Sequence, residues 1–135
     1  MSLTIRWARL SDYPELKAYD EFIGDRRLDL QAGELLVADQ GERRAIGYLR
    51  VAPTGFLGWP LVTALCVHPD CRRTGVASQL LDRLRKDTRF PRLTITTEQG
   101  NEAMRRLLAR IGAREIGYAD ELNMSGEREI FYRLL

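Results

Sequence analysis

Apolar and polar positions mark out successive elements by their spacing. Leu3–Arg9 alternates with a period of two, as a half-buried strand does. Beyond Ser11 and Asp12, Leu16, Tyr19, Phe22 and Ile23 recur at helical spacing, so the strand leads into a helix. Leu35–Ala38 and Ile46–Val51 read as two short strands of a hairpin around Gly41. The segment Pro53–Pro60 reads as a loop carrying the apolar residues Phe56, Leu57 and Trp59. Leu61–Val67 is apolar at nearly every position, which predicts a central strand covered on both faces.

The second half continues in the same way. Val76, Ala77, Leu80, Leu81 and Leu84 form one stripe of an amphipathic helix over Gly75–Lys86. Leu93, Ile95 and Thr97 alternate as a strand. From Asn101, Met104, Leu107, Leu108 and Ile111 follow at i, i+3, i+4 and i+7, and Gly112 stops that helix. Two strands, Glu115–Met124 and Glu129–Leu134, complete the order β-α-(α)-β-β-β-α-β-α-β-β. That order predicts an α/β (α+β) fold, a mixed sheet with helices on its faces.

A length of 135 residues suits one domain over 1–135, and 44% hydrophobic with 30% charged residues predicts a packed core rather than disorder. The net charge of +2 exerts little pull on nucleic acid, so any anion specificity must be local. The uncharged run from Val51 to His68 is broken by prolines and glycines, and Arg6 and Arg9 interrupt the amino terminus, so no membrane segment or leader is expected. Cys66 and Cys71 are too few for a disulfide framework and lack a metal-binding pattern. A reducing cytoplasm and no zinc are the expectations.

The informative stretch is Val67-His68-Pro69-Asp70-Cys71-Arg72-Arg73-Thr74-Gly75-Val76-Ala77. Helix amino termini carry free N–H groups and partial positive charge, so two arginines there are mildly unfavourable unless an anion reverses the sign. Gly75 allows close backbone approach, and Ala77 and Ser78 are small enough not to block it; the N–H groups with Arg72 and Arg73 can hold a pyrophosphate. Alternatively, Thr74 simply caps the helix while the arginines pair with Asp70 or face water.

Arg72-Arg73-Thr74-Gly75-Val76-Ala77 after Val67-His68-Pro69, followed by Asn101 to Gly112-Ala113, closely resembles the signature of the GNAT superfamily of N-acetyltransferases. The resemblance is close over Leu61–Ala113. It implies a mostly antiparallel sheet of about seven strands flanked by four helices. It also implies acetyl-CoA as co-substrate, no metal, and direct attack by an amine in a ternary complex. Carried onto this sequence, it puts the pantetheine arm against the main chain of Cys66 and Val67, with Asn101 beside it. Arg72, Arg73, Thr74, Gly75, Val76, Ala77 and Ser78 would surround the pyrophosphate. Asn101 reads equally as a helix cap. The backbone N–H of Val67 is the expected donor to the developing oxyanion.

Two positions depart from the family pattern. A tyrosine that many members place seven residues after the asparagine is Leu108 here, and Val62–Leu65 holds no glutamate to act as base. A positioned acid or base contributes about 10²–10⁴-fold, so these losses alone do not abolish catalysis. Glu98 is the replacement base candidate, or else a solvated carboxylate. Tyr118 and Tyr132 are candidate acids, or else core residues. His68 reads as a turn residue, and both cysteines as structural. The acceptor is expected between Tyr13–Leu30 and the final hairpin, where Asp20, Glu21, Asp25, Asp29, Asp120 and Glu121 form an acidic wall or a solvated surface. Phe56, Leu57 and Trp59 would line that site or a homodimer contact. The alternative to an enzyme is a non-catalytic acyl-CoA-binding or regulatory module. An oxidoreductase is disfavoured because GxGxxG is absent.

Overall fold

In the computed structural model, which describes residues 3–42 and 44–134, seven strands build one sheet. They are β1 (Thr4–Trp7), β2 (Leu35–Asp39), β3 (Ala45–Phe56), β4 (Trp59–Val67), β5 (Thr94–Glu98), β6 (Arg114–Ala119) and β7 (Glu129–Arg133). The helices are α1 (Tyr13–Tyr19), α2 (Arg27–Gln31), α3 (Val76–Arg85) and α4 (Glu102–Arg110). The spatial order is β1-β2-β3-β4-β5-β7-β6, antiparallel throughout except for β4 and β5. Element order and mostly antiparallel sheet match the expectation.

Two apolar clusters sandwich the sheet. On one face Leu80, Leu81 and Leu84 of α3 and Leu107 and Leu108 of α4 pack on Leu36, Leu49, Val62 and Ile95. On the other, Leu16 of α1 and Leu30 of α2 pack on Leu35, Val37 and Tyr48. Alternate side chains of β2 thus serve opposite cores, the period-two signature of a strand buried on both faces. Helix α3 lies close on β3, because a Cβ at Gly47 would stand 2.9 Å from Val76 Cγ1.

Three expectations need correcting. Pro53–Pro60 is not a loop: β3 and β4 run on as a long hairpin whose turn is Leu57–Gly58, at φ 53° and 89°. Positive φ at both turn residues is the geometry that matches strand twist. Pro53 is tolerated because it lies where the register shifts between Ala52 and Phe56. Phe22 is 87% exposed rather than on the α1 stripe. The helix ends at Tyr19 because Asp20 turns extended and its Oδ1 accepts the Phe22 N–H at 3.0 Å. Finally, β4 is central but incompletely covered: its residues from Ala64 to Val67 are only half-buried.

Candidate active site

The incomplete cover of β4 has a local cause. Arg50 pairs with Ala64 but Val51 pairs with Val62, so Thr63 is an extra residue, a bulge on β4. The parallel ladder to β5 holds only Leu61 with Thr94 and Val62 with Ile95, and stops at that bulge. Beyond it the two strands part.

The register settles which groups line the gap. The His68 N–H donates to the Ile46 carbonyl at 2.7 Å, which makes Cys66 with Tyr48 and Ala64 with Arg50 the other hydrogen-bonded pairs of this ladder. The main chain of Leu65 and Val67 therefore turns away from β3, into the gap. Cys66, expected to offer its main chain there, offers it to β3 instead; Leu65 is the residue that sequence reasoning missed. Strand period alone could have found it, since two residues facing one edge must be two apart.

The α3 turn follows directly. Gly75 is the helix N-cap, at φ 86°, with no side-chain hydrogen bond to the first-turn N–H groups. Thr74 does not cap the helix, because its hydroxyl donates to the Cys71 carbonyl. Arg73 adopts φ 62°, and Arg72 and Arg73 are exposed with no ion pair among the described residues. Arg72 reaches back, its Nε donating to the Val67 carbonyl at 3.2 Å. A Cβ at Gly75 would meet nothing within 4 Å, so the turn fronts open space. Val76 is buried, while Ala77 and Ser78 are half-buried. Two shallow depressions, about 580 and 520 Å³, lie elsewhere, against Tyr13, Lys17 and Arg27, and against Arg105, Ala109 and Tyr132. The gap is an opening between strands, not an enclosed cavity.

The remaining candidates scatter. Asn101 caps α4, its Oδ1 accepting the Met104 N–H at 3.2 Å. Glu98 ends β5 three residues after Ile95, half-buried, and its carboxyl is pushed up by hydrogen bonding with Glu127, partly offset by Ser125. Leu108 is fully buried in the α4 core and presents no surface to the gap. Tyr132 is also buried there, its hydroxyl accepting from Arg105 Nε at 3.0 Å. Tyr118 is 57% exposed with Arg128 stacked 3.8 Å over its ring. Neither tyrosine lies on a strand bordering the gap. His68 is a turn residue, its Nδ1 accepting the Asp70 N–H at 3.0 Å.

On the opposite face, Tyr48 donates from its hydroxyl to Asp20 Oδ2 at 2.6 Å. The Cys66 thiol is pushed up by burial and by Asp20, against the opposing pull of Arg72, so it is protonated and a poor nucleophile at neutral pH. Half of the expected acidic wall is already neutralised. Asp25 pairs with Arg27, Asp29 with Arg26 and Arg50, and Asp120 with Arg128. Glu21 and Glu121 are exposed. Phe56 packs edge-on against Phe131 at 5.4 Å and Arg92 lies over Trp59 at 4.6 Å, leaving Leu57 at the hairpin tip. Among the described residues no cluster of three or more His, Cys, Asp or Glu could hold a metal, and no helix is long and apolar enough to cross a membrane.

Residues 3–113 match the family model described as Acetyltransferase (GNAT) family. A search of curated proteins found no match. An acetyltransferase of the GNAT family from Bacillus cereus superposes with a TM-score of 0.84 at 22% identity, over 98% of this chain and 96% of that one. A ribosomal-protein-alanine N-acetyltransferase from Brucella melitensis gives 0.77 at 22%, over 96% and 98%. The diaminobutyrate acetyltransferase of Paenibacillus lautus, in complex with L-2,4-diaminobutyric acid and coenzyme A, gives 0.72 at 18%, over 98% and 93%. At these identities the likeness is one of fold.

Proposed function

Since the chain belongs to the acetyltransferase (GNAT) family, whose members are acetyl-CoA-dependent acyltransferases, we propose that residues 1–135 act as one domain that transfers acetyl from acetyl-CoA to a primary amine by direct attack. The observation that carries this reading is the free main-chain edge of Leu65 and Val67 running straight into an uncapped helix turn. An extended amide-bearing arm fits the edge, and a pyrophosphate fits the turn. The first-turn N–H groups, with Arg72 and Arg73, supply the positive potential that a phosphate needs. Arg72 also holds the Val67 carbonyl, which fixes the strand end. The Val67 N–H then faces the gap as the donor to the oxyanion that develops on the thioester carbonyl.

Positioning does most of the work in this scheme. Holding amine and thioester together supplies several kcal/mol without any side-chain acid, and a thiol pKa of about 8.5 makes the thiolate a tolerable leaving group. Glu98 is one carboxylate able to take the amine's proton.

The test is release of CoA from acetyl-CoA with a panel of primary amines, beside thermal unfolding with CoA. Saturation at 100 Kd adds about 2.7 kcal/mol, which should raise Tm on the order of 10 °C. A shift with no turnover on any amine would favour a binding module, and no shift at millimolar CoA would remove the site.

A further inference from the structure

We propose that the Asp20 carboxylate, held by Tyr48 beside the carboxyl end of β4, binds the acceptor's ammonium group and takes its proton. This rests on the acetyltransferase reading and gives the amine's proton to Asp20 in place of Glu98.

Position comes first. Asp20 leaves α1 in an extended conformation, which aims its side chain back at the sheet. Its Oδ2 accepts from the Tyr48 hydroxyl at 2.6 Å and its Oδ1 from the Phe22 N–H at 3.0 Å. Tyr48 is the hydrogen-bonded partner of Cys66, so both side chains project from the same face, one residue before Val67. Asp20 therefore stands over the end of β4 on the α1 face, opposite to α3.

Charge comes second. Of the six acidic residues on this wall, Asp20 and Asp29 are half-buried, and Asp29 is bound by two arginines. Asp20 has no ion pair among the described residues, so a half-buried carboxylate there awaits a cation. The neighbouring Tyr19 hydroxyl is buried with no hydrogen-bond partner among the described residues, its ring edge-on to His68 at 5.2 Å. A primary ammonium has three protons to donate. Asp20 offers it a charged acceptor, and Tyr48, 2% exposed, acts on the site through its hydrogen bond to that carboxylate. Burial and Asp20 together push the Tyr48 hydroxyl up, so Tyr48 remains a donor to the carboxylate. Glu98, in contrast, stands beside a second carboxylate, Glu127, whose hydrogen bond pushes it up.

In the reaction, one ammonium proton passes to the Asp20 carboxylate. The freed nitrogen lone pair attacks the thioester carbonyl carbon, the carbon–sulfur bond breaks, and its electron pair leaves on sulfur. The second nitrogen proton passes to that thiolate through water, and Asp20 returns its proton to solvent. The acceptors best suited are unhindered cationic primary amines.

Asp20→Asn keeps one acceptor oxygen, for the Tyr48 hydroxyl, gives up the exposed Phe22 N–H to water, and loses the charge and the basicity. With propylamine and 1,3-diaminopropane as acceptors, kcat/KM for the amine should fall at least a hundredfold while the Kd for CoA and Tm stay near wild type. Asp20→Asn should also regain rate as pH rises and free amine accumulates, which loss of a merely structural contact would not produce. The groups facing Asp20 are Tyr19 on α1, Tyr48 on β3 and Cys66 on β4, with His68 against Tyr19 and Arg72 against Cys66 one step further out. Retention of activity within threefold, or a larger loss in Glu98→Gln than in Asp20→Asn, overturns the assignment. Calorimetric binding of propylammonium to the CoA complex gives a readout without turnover: tenfold weaker binding in Asp20→Asn supports the site, and equal binding overturns it. A wild-type chain that binds CoA and propylammonium yet acetylates nothing would sink the acetyltransferase reading and leave that comparison to decide the Asp20 site.

Discussion

Asp12 shows how a residue that reads as a helix start becomes a structural anchor. It is 5% exposed, accepts the Arg9 N–H at 2.7 Å and forms a two-pronged pair with Arg6, which also reaches Asp39. Burial alone would raise its carboxyl, but Arg6 and the Arg9 N–H outweigh burial and hold it below the usual carboxylate range. A depressed folded pKa contributes stability above the unfolded value of about 3.9 and loses it as pH falls through the folded value. Asp12→Asn should therefore cost about 1–3 kcal/mol in urea unfolding at pH 7 and converge with wild type near pH 2. An equal cost at both pH values would mean that the loss is one of packing. Arg6 and Arg9 stand close to Asp12 in the sequence, but the second carboxylate on Arg6, Asp39, lies far along the chain on β2, and only the fold assembles the three. Asp20 was equally hidden: it belonged to an acidic wall, and only the fold paired Asp25, Asp29 and Asp120 with arginines and put Asp20 on Tyr48.

At the scale of elements, periodicity is most informative where both faces are buried. The α3 and α4 stripes and β2 follow their spacing because the core enforces it, whereas β6, an edge strand with no buried residue, ends at Ala119 and not at the expected Met124. The β3–β4 extension was obscured by Pro53, Gly55, Gly58 and Pro60, which punctuate a chain locally although Trp59 still pairs with Phe56. The α3 turn was legible because its chemistry is written in consecutive residues. Gly75 there answers two demands at once, a left-handed backbone and room in front of it. Gly75→Ala should cost about 1–2 kcal/mol from backbone strain and keep CoA binding measurable. Gly75→Glu adds a carboxylate at the site proposed for phosphate, so CoA binding should fall more than a hundredfold in calorimetry at a similar stability cost. Comparable affinity in the two variants would place the phosphates elsewhere.

Across the whole molecule, sequence order names the strands but not their neighbours. That β7 enters between β5 and β6 depends on pairs such as Thr94 with Arg133, far apart in the chain and unmarked by local pattern. The same holds for the two-pair seam joining β4 to β5. Ladder hydrogen bonds are what slow the exchange of backbone hydrogens with solvent. In the free protein the Leu65 and Val67 amides should thus exchange within seconds to minutes, between flanking Ala64 and Cys66 amides that last far longer. Binding of CoA, if its arm lies along this edge, should slow the fast pair by orders of magnitude and leave Ala64 and Cys66 almost unchanged. An exchange map read residue by residue would then outline the ligand as an eighth strand, drawn in deuterium along a sheet that folding alone leaves unfinished.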